Sequence, residues 1–248
     1  MSQPRKLRCT VEALTDHGGR VYTVDLAPQS PAPSFRPGQF LHLTVDDYDP
    51  SGFWPESRVF SIASSPSERG RLRICYSVKG RYTIKMEQAL QPGREVWVKL
   101  PYGEFIIDDS TEAVLLAGGT GISAFTAFVE SLKPERTKPV WLIYGAREPG
   151  LLLFREMLLD RLAKVPAFQL LFFTEAGTES FSREVAPAPR PPACFPGRIS
   201  LDSFWPQLSG VEKKTFYLAG PPIMLSTLGA QLKARGVAPE QVRVDAWE

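Results

Sequence analysis

The sequence predicts two domains of different class: an N-terminal antiparallel β-barrel over residues 1–107 and a C-terminal α/β domain with a parallel sheet over residues 108–248. Three observations carry this. Before residue 108, short β-type runs alternate with turn signals at the close spacing of a barrel or sandwich. After it, strands alternate with helical stretches, which implies right-handed crossovers and a parallel sheet. At the head of the second half, an apolar strand, Ala113-Val114-Leu115-Leu116-Ala117, runs into the glycine turn Gly118-Gly119-Thr120-Gly121 and then a helix. With 248 residues, 43% of them hydrophobic, each half can build its own core.

In the first half the expected strands cover residues 7–13, 20–27, 39–45, 58–63, 71–78 and 95–100, with a helical stretch at 83–90. In the second half, strands at 113–117, 139–144, 168–173 and 215–218 alternate with helices at 122 to about 132 and at 151–163. The segment 174–196 carries Ala186-Pro187-Ala188-Pro189-Arg190-Pro191-Pro192 at its middle. Proline fixes φ and removes a backbone donor, so an extended surface loop instead of a helix is expected there, serving as a tolerated insertion, a lid or a docking loop.

Composition narrows the function classes. A net charge of +2 with no basic arm or acidic tail argues against nucleic acid as a partner. No apolar run approaches the roughly 18 residues of a membrane span. The first residues are charged with no apolar stretch behind them, so no secretory signal is expected and the chain reads as cytoplasmic. Cys9, Cys75 and Cys194 are odd in number and far apart, which points to neither a disulfide framework nor a zinc or iron–sulfur site. His17 and His42 are too isolated to hold a metal.

Two short strings carry the chemistry. Arg58-Val59-Phe60-Ser61 puts a cation, an aromatic ring and a hydroxyl on one strand. Alternate side chains of a strand share a face, so Arg58 and Phe60 point together. A guanidinium makes charge-assisted hydrogen bonds to a diphosphate, and a phenyl ring offers a flat surface to an isoalloxazine. The second string, Gly118 to Ile122, sits between a parallel strand and a helix start, where backbone N–H groups and the helix dipole suit phosphate. Together they suggest a flavin beside a nicotinamide.

Six motifs in order resemble the ferredoxin–NADP reductase superfamily along nearly the whole chain. They are Arg58-Val59-Phe60-Ser61, Gly80-Arg81-Tyr82-Thr83, Pro101-Tyr102-Gly103-Glu104-Phe105, Gly118 to Ile122, Tyr144-Gly145-Ala146-Arg147, and Ala219-Gly220-Pro221-Pro222. The resemblance implies FAD on the barrel and NAD(P)H on the α/β domain. It assigns Phe60 to stacking on the flavin and Ser61 to the neighbourhood of its hydride-accepting atom. Gly80 and Thr83 go to the flavin diphosphate, with Arg81 and Tyr82 beside them, and Cys75, Tyr76, Ser77 and Val78 to the ribityl chain. Gly118, Gly119, Thr120, Gly121 and Ile122, with Gly220, Pro221 and Pro222, are placed on the nicotinamide dinucleotide, Thr120 nearest the reacting ring. Trp247 is expected over the second flavin face or as core packing. Two departures stand out: Phe60 replaces the usual tyrosine, and Ala219 replaces the usual cysteine.

The choice between NADH and NADPH falls on Thr174 and Glu175, after the third α/β strand. A carboxylate repels a 2′-phosphate and accepts from a ribose hydroxyl, so NADH is favoured, with Arg147 and Arg183 as counterweights for NADPH. The cationic run Arg69, Arg71, Arg73, Lys79, Arg81 and Lys85 is either a solvated face or a landing patch for an acidic acceptor. Lacking cluster cysteines, the chain is expected to reduce a separate ferredoxin or metalloprotein. The alternatives are a flavin reductase that releases free reduced flavin, and a non-catalytic nucleotide-binding subunit.

Overall fold

A computed structural model describes residues 3–245. The chain divides into two compact units, the first ending at Ile106 and the second beginning at Ile107.

The first unit is a six-stranded antiparallel sheet of β1 (Arg5–Asp16), β2 (Val21–Pro28), β3 (Phe40–Thr44), β4 (Arg58–Ser61), β5 (Leu72–Ser77) and β6 (Glu95–Tyr102), with helix α1 (Arg81–Ala89) between the last two. Spatial order is β4-β3-β6-β1-β2-β5. Period-two burial sets the inward face: Leu7, Cys9 and Val11 of β1, Val24 and Leu26 of β2, Leu72, Ile74 and Tyr76 of β5, and Val96, Val98 and Leu100 of β6 fill one core. The sheet nearly closes on itself. Just beyond β4, the Ala63 N–H donates to the Arg73 carbonyl of β5 at 2.8 Å, and the Phe60 and Tyr76 ring centroids lie 6.2 Å apart.

The second unit holds β7 (Glu112–Gly118), α2 (Ser123–Ser131), β8 (Val140–Ala146), α3 (Arg155–Lys164), β9 (Phe168–Thr174), α4 (Thr178–Val185), β10 (Ala193–Pro196), β11 (Lys214–Ala219), α5 (Pro222–Ala234) and β12 (Val242–Asp245). Its sheet runs β10-β9-β8-β7-β11-β12, with every recorded strand pair parallel. The interior strand β7 is buried from Ala113 to Gly118, as a sheet covered on both faces requires. The chain adds β8, β9 and β10 on one side of β7 and returns to place β11 and β12 on the other. The gap between the carboxyl ends of β7 and β11 is therefore the topological switch point, where open α/β sheets take ligands.

The segment 174–196 corrects one expectation. Helix α4 forms in its first part because residues 178–185 contain no proline and bury Phe181 and Val185 four positions apart. The prolines fall after it, and that stretch is pinned: the Arg190 guanidinium donates to the carbonyls of Leu162 (3.0 Å), Val165 (2.9 Å) and Phe168 (2.6 Å). The segment ends in β10, paired with β9. The glycine turn also differs from a direct helix start, since residues Gly119–Ile122 form one 3-10 turn before α2.

Candidate functional site

In the first unit, the candidate site gathers at the start of α1. This helix begins at Arg81 with Gly80 as its N-cap, two residues before the expected position. Thr83 is therefore the third residue of the helix. Its Oγ1 accepts from the Lys79 and Gly80 N–H groups (2.9 and 3.1 Å) and donates to the Gly80 carbonyl (3.0 Å), so the hydroxyl is spent on the turn. Gly80 brings no side-chain cap, and a Cβ placed there meets nothing within 4 Å, so the first turn of the helix opens on free space.

Two guanidiniums converge beside that opening on a carboxylate absent from the sequence expectations, Glu56. Arg58 Nη2 reaches Glu56 Oε1 at 3.2 Å, and Arg81 Nη2 reaches Oε1 and Oε2 at 3.1 and 3.2 Å. Arg58 also donates to the Ser57 carbonyl at 2.9 Å and stacks over the Tyr82 ring at 4.8 Å. Tyr82 is buried and donates to the carbonyls of Leu43 (3.3 Å) and Glu56 (3.0 Å), tying α1 to β3 and the approach to β4. The side chains of Arg58 and Arg81 remain 48% and 86% exposed, placing the cations at the rim.

These residues fit a flavin dinucleotide. Two cations and an uncapped helix start suit a diphosphate, with Glu56 standing where an external anion would. Phe60 is half-buried against the core with Tyr76 beneath it. The Tyr76 hydroxyl is buried and has no hydrogen-bond partner among the described residues. Burial is the first cause that raises its pKa, and Tyr22, Glu87 and Asp16 add to it. Of the ribityl expectations, Tyr76 and Cys75 are buried, whereas Ser77 and Val78 are half-exposed. Ser61 ends β4, half-buried, with Val59 two positions before it.

In the second unit, the switch point is floored by glycines. A Cβ at Gly121 meets the Ala219 carbonyl oxygen at 2.3 Å, and one at Gly220 meets the Gly118 N at 3.0 Å. The loops after β7 and β11 thus touch backbone to backbone, as only glycine permits. Gly118 is closed in by Pro221 and Met224. Above this floor the turn is open: Gly119, at φ +53°, has nothing within 4 Å of a Cβ position. Thr120 is half-exposed beside it, and Pro222 begins α5 in the open. Close packing beneath and free space above fit a dinucleotide.

Several expected contacts are turned inward. Tyr144 is fully buried, and its hydroxyl accepts from the Leu153 N–H (3.0 Å) while donating to the Leu151 carbonyl (3.2 Å), so its side chain braces a loop and cannot face a cofactor. Ile122 is fully buried under the turn, and Thr174 is buried with its Oγ1 2.7 Å from that of Thr178. Gly145 packs closely on Ile199. Arg147 and Glu175 are exposed at the strand ends, where the Ala176 N–H donates to the Arg147 carbonyl at 2.9 Å. Sequence reasoning also missed Arg198, whose Nε lies 3.4 Å from Glu175 Oε1. Trp247 lies outside the described residues.

The cationic run is a set of local pairs. Arg73 forks onto Asp25 (2.7 and 2.8 Å), Arg71 pairs with Glu68 at 2.7 Å, Lys85 with Asp46 and Arg81 with Glu56, while Arg69 donates to the Ala32 carbonyl at 2.6 Å. Charge neutralised in this way gives little pull on an acidic partner. Among the described residues no group of His, Cys, Asp or Glu could hold a metal ion, and no helix is long and apolar enough to cross a membrane.

Residues 115–228 match the family model of the oxidoreductase NAD-binding domain. The chain is 25% identical over 253 residues to the reductase component of propane 2-monooxygenase from Mycolicibacterium smegmatis, covering 97% of this chain and 67% of that protein. It is 28% identical over 164 residues to the NAD(P)H-flavin reductase of Vibrio harveyi, covering 62% and 66%. The chain thus spans about two thirds of the length of these relatives. The FAD/NAD-binding domain of the Vibrio cholerae nitric oxide dioxygenase has the same fold, with a TM-score of 0.76 at 18% identity over 96% of this chain and 97% of that one. In motif order, fold and these likenesses the chain is similar to the ferredoxin reductase-like oxidoreductases, with an oxidoreductase NAD-binding domain matched over residues 115–228.

Proposed function

We propose that the chain is the reductase of an electron-transfer pair, holding FAD on its barrel, taking electrons from a nicotinamide dinucleotide on its α/β unit and passing them to a separate ferredoxin or metalloprotein in the cytoplasm. The carrying observation is the cluster at the start of α1: two guanidiniums gathered by Glu56 beside an uncapped, open helix end. The propane 2-monooxygenase component it resembles is named as the reductase of an oxygenase, which supports a metalloprotein acceptor. Three free cysteines suit a reducing compartment.

Bound FAD supplies the hydride acceptor and the onward electron carrier, chemistry no side chain provides. The side chains bind and orient. Arg58 and Arg81 would offset the diphosphate charge, the N–H groups after Gly80 would donate to phosphate oxygens, and Phe60 would present a ring face. Ser61 and Thr120 are the proposed catalytic residues, each a hydroxyl beside a reacting ring. Gly118 to Ile122, with Gly220 and Pro221, would hold the nicotinamide dinucleotide over the glycine floor of the switch point. Hydride transfer uses no nucleophile, so Ala219 is compatible with turnover.

A second reading, a flavin reductase that releases its product, draws on the exposure of the same cluster: cations at the rim grip a dinucleotide more weakly than buried ones. The visible spectrum of desalted protein, followed by anaerobic NADH and then NADPH, separates the two. A yellow protein bleached by either nucleotide supports the first. A colourless protein that oxidises NADH only with added flavin supports the second, and one that does neither overturns both.

A further inference from the structure

We propose that Arg20, in the turn between β1 and β2, is a positioning residue for the flavin. Through Glu87 it fixes the rotation of α1, and through its own carbonyl it fixes the chain entering that helix, so that the open first turn is presented to the diphosphate. The proposal rests on the reading above, in which the start of α1 receives a flavin dinucleotide.

Packing alone leaves α1 loosely fixed. The helix has nine residues, too few to be stable unaided, and its buried stripe is Tyr82 and Met86. One narrow stripe determines rotation about the helix axis poorly. Successive residues lie about 100° apart, so Lys85 and Glu87 flank Met86 on opposite sides. On one flank Lys85 pairs with Asp46. On the other, Glu87 takes the Arg20 fork, with Nε on Oε1 at 3.1 Å and Nη2 on Oε2 at 2.5 Å, and accepts from the Tyr22 hydroxyl at 3.0 Å.

Arg20 also holds the chain on the near side of that turn. Its carbonyl accepts from the Val78 N–H at 3.0 Å, two residues before the N-cap Gly80. The bond extends the β2–β5 ladder, in which Val21 faces Ser77, by one step. One residue therefore grips the backbone entering the turn and a side chain on the helix leaving it. The grip continues to the ring end of the site, because Tyr22 stacks on Tyr76 at 5.3 Å and Tyr76 meets Phe60 edge-on. Arg20 does this in a strained backbone. Its φ is +59°, after Gly18 at +82° and Gly19 at +57°, and among the described residues Phe154 is the other non-glycine with a positive φ. That region crowds a Cβ against the backbone, and such strain persists where surrounding contacts hold it, as Glu87 and Val78 do here. The ion pair is open to water, its side chains 55% and 23% exposed, so it adds little to global stability. Its effect falls on the orientation of α1.

The experiment measures FAD affinity of the full-length protein by fluorescence quenching, with backbone amide exchange and thermal midpoints of the same samples. It compares the natural chain, Arg20→Gly, Glu87→Ala and the double variant. Glycine relieves the left-handed backbone and alanine favours the helix, so neither single variant should lower the midpoint by more than about 2 °C. Each is expected to bind FAD about three- to fivefold more weakly, with faster exchange at the amides of residues 78–83 and unchanged exchange in β1 and β6. The double variant should bind no more weakly than either single one, since both substitutions break the same contact. The sign at Glu87 separates orientation from charge: removing a carboxylate would by itself tighten binding of a diphosphate, so weaker binding reports lost orientation. Unchanged or tighter binding in Glu87→Ala, losses that multiply in the double variant, or a midpoint that falls in step with affinity overturns the proposal while leaving the flavin site intact. A natural chain that binds no FAD overturns the flavin reading together with the proposal.

Discussion

Glu56 holds Arg81 with both carboxylate oxygens, at 3.1 and 3.2 Å, at the mouth of the helix that would receive a flavin diphosphate. One of those oxygens also holds Arg58. The carboxylate thus gathers two cations and competes for them. A diphosphate carrying more negative charge at the uncapped helix end wins, but it must first displace Glu56. Glu56→Gln should therefore bind FAD roughly three- to tenfold more tightly, as expected for relieving exposed pairs of this kind. Fluorescence quenching of FAD titrated into apoprotein measures it. Weaker binding would show that Glu56 serves mainly as a scaffold for the two arginines.

The two arginines should not contribute equally. Arg58 is stacked on Tyr82 and tied to the Ser57 carbonyl, whereas Arg81 is 86% exposed and is held by the Glu56 carboxylate, which a diphosphate would displace. Ordering Arg81 around a ligand costs side-chain entropy that Arg58 has largely lost already. Arg58→Ala is expected to lose most of its flavin on desalting, read from the ratio of absorbance at visible and ultraviolet wavelengths, and Arg81→Ala to keep most of it. Full occupancy in Arg58→Ala would remove that residue from the flavin site.

Within the switch point, glycine is required at one position and merely used at another. A Cβ at Gly121 lands 2.3 Å from the Ala219 carbonyl oxygen, so Gly121→Ala must push apart the loops after β7 and β11. Loss of NADH oxidation, with FAD retained and a thermal midpoint lowered by several degrees, is the expected result. At Gly119 the space is open and only the left-handed backbone opposes a side chain, at a cost of about 1 kcal/mol. Gly119→Ala should therefore melt nearly as the natural chain does. Equal damage from both would mean the close approach has no bearing on the site.

The contrast between Gly121 and Arg198 shows what the sequence made legible. Gly121 belongs to a local string whose strand, turn and helix are all encoded within a dozen residues, and the antiparallel and parallel halves announced themselves through periodicity in the same way. Arg198 and Glu56 left no such trace. Arg198 reaches Glu175 only through the pairing of β10 with β9, and β10 is a four-residue strand behind a proline-rich stretch. Glu56 is an ordinary acidic residue until α1 brings Arg81 back to it across 25 positions. Tyr144 misled for the converse reason: its motif places the residue at the right strand end, but alternation along β8 turns the ring into the core. Helix α4 was hidden by the prolines that follow it.

The barrel also carries a pH dependence that can be worked out from His42. Its ring is edge-on to Phe40 and Tyr102, with centroids at 5.7 and 4.9 Å, and its Nδ1 lies 3.4 Å from the Ser57 hydroxyl. Burial lowers its pKa below the ordinary 6.5, and the nearby Lys99 charge lowers it further. His17, 2.8 Å from Thr23 Oγ1, is lowered by burial as well, partly offset by Asp16. A histidine with a depressed folded pKa lets the unfolded chain take up its proton first. Stability is thus fully retained above about pH 6.5 and declines as the pH falls towards the folded pKa. The carboxylates with lowered values, Asp49, Glu87 and Asp160, start from 3.8 to 4.5 and titrate below this window. Thermal midpoints between pH 7.5 and 5.5 should therefore fall in the natural chain and stay nearly flat in the His17→Gln, His42→Gln double variant. Glutamine keeps a hydrogen-bonding group at each site without the titration, so an equal fall in both proteins would assign the effect to other groups.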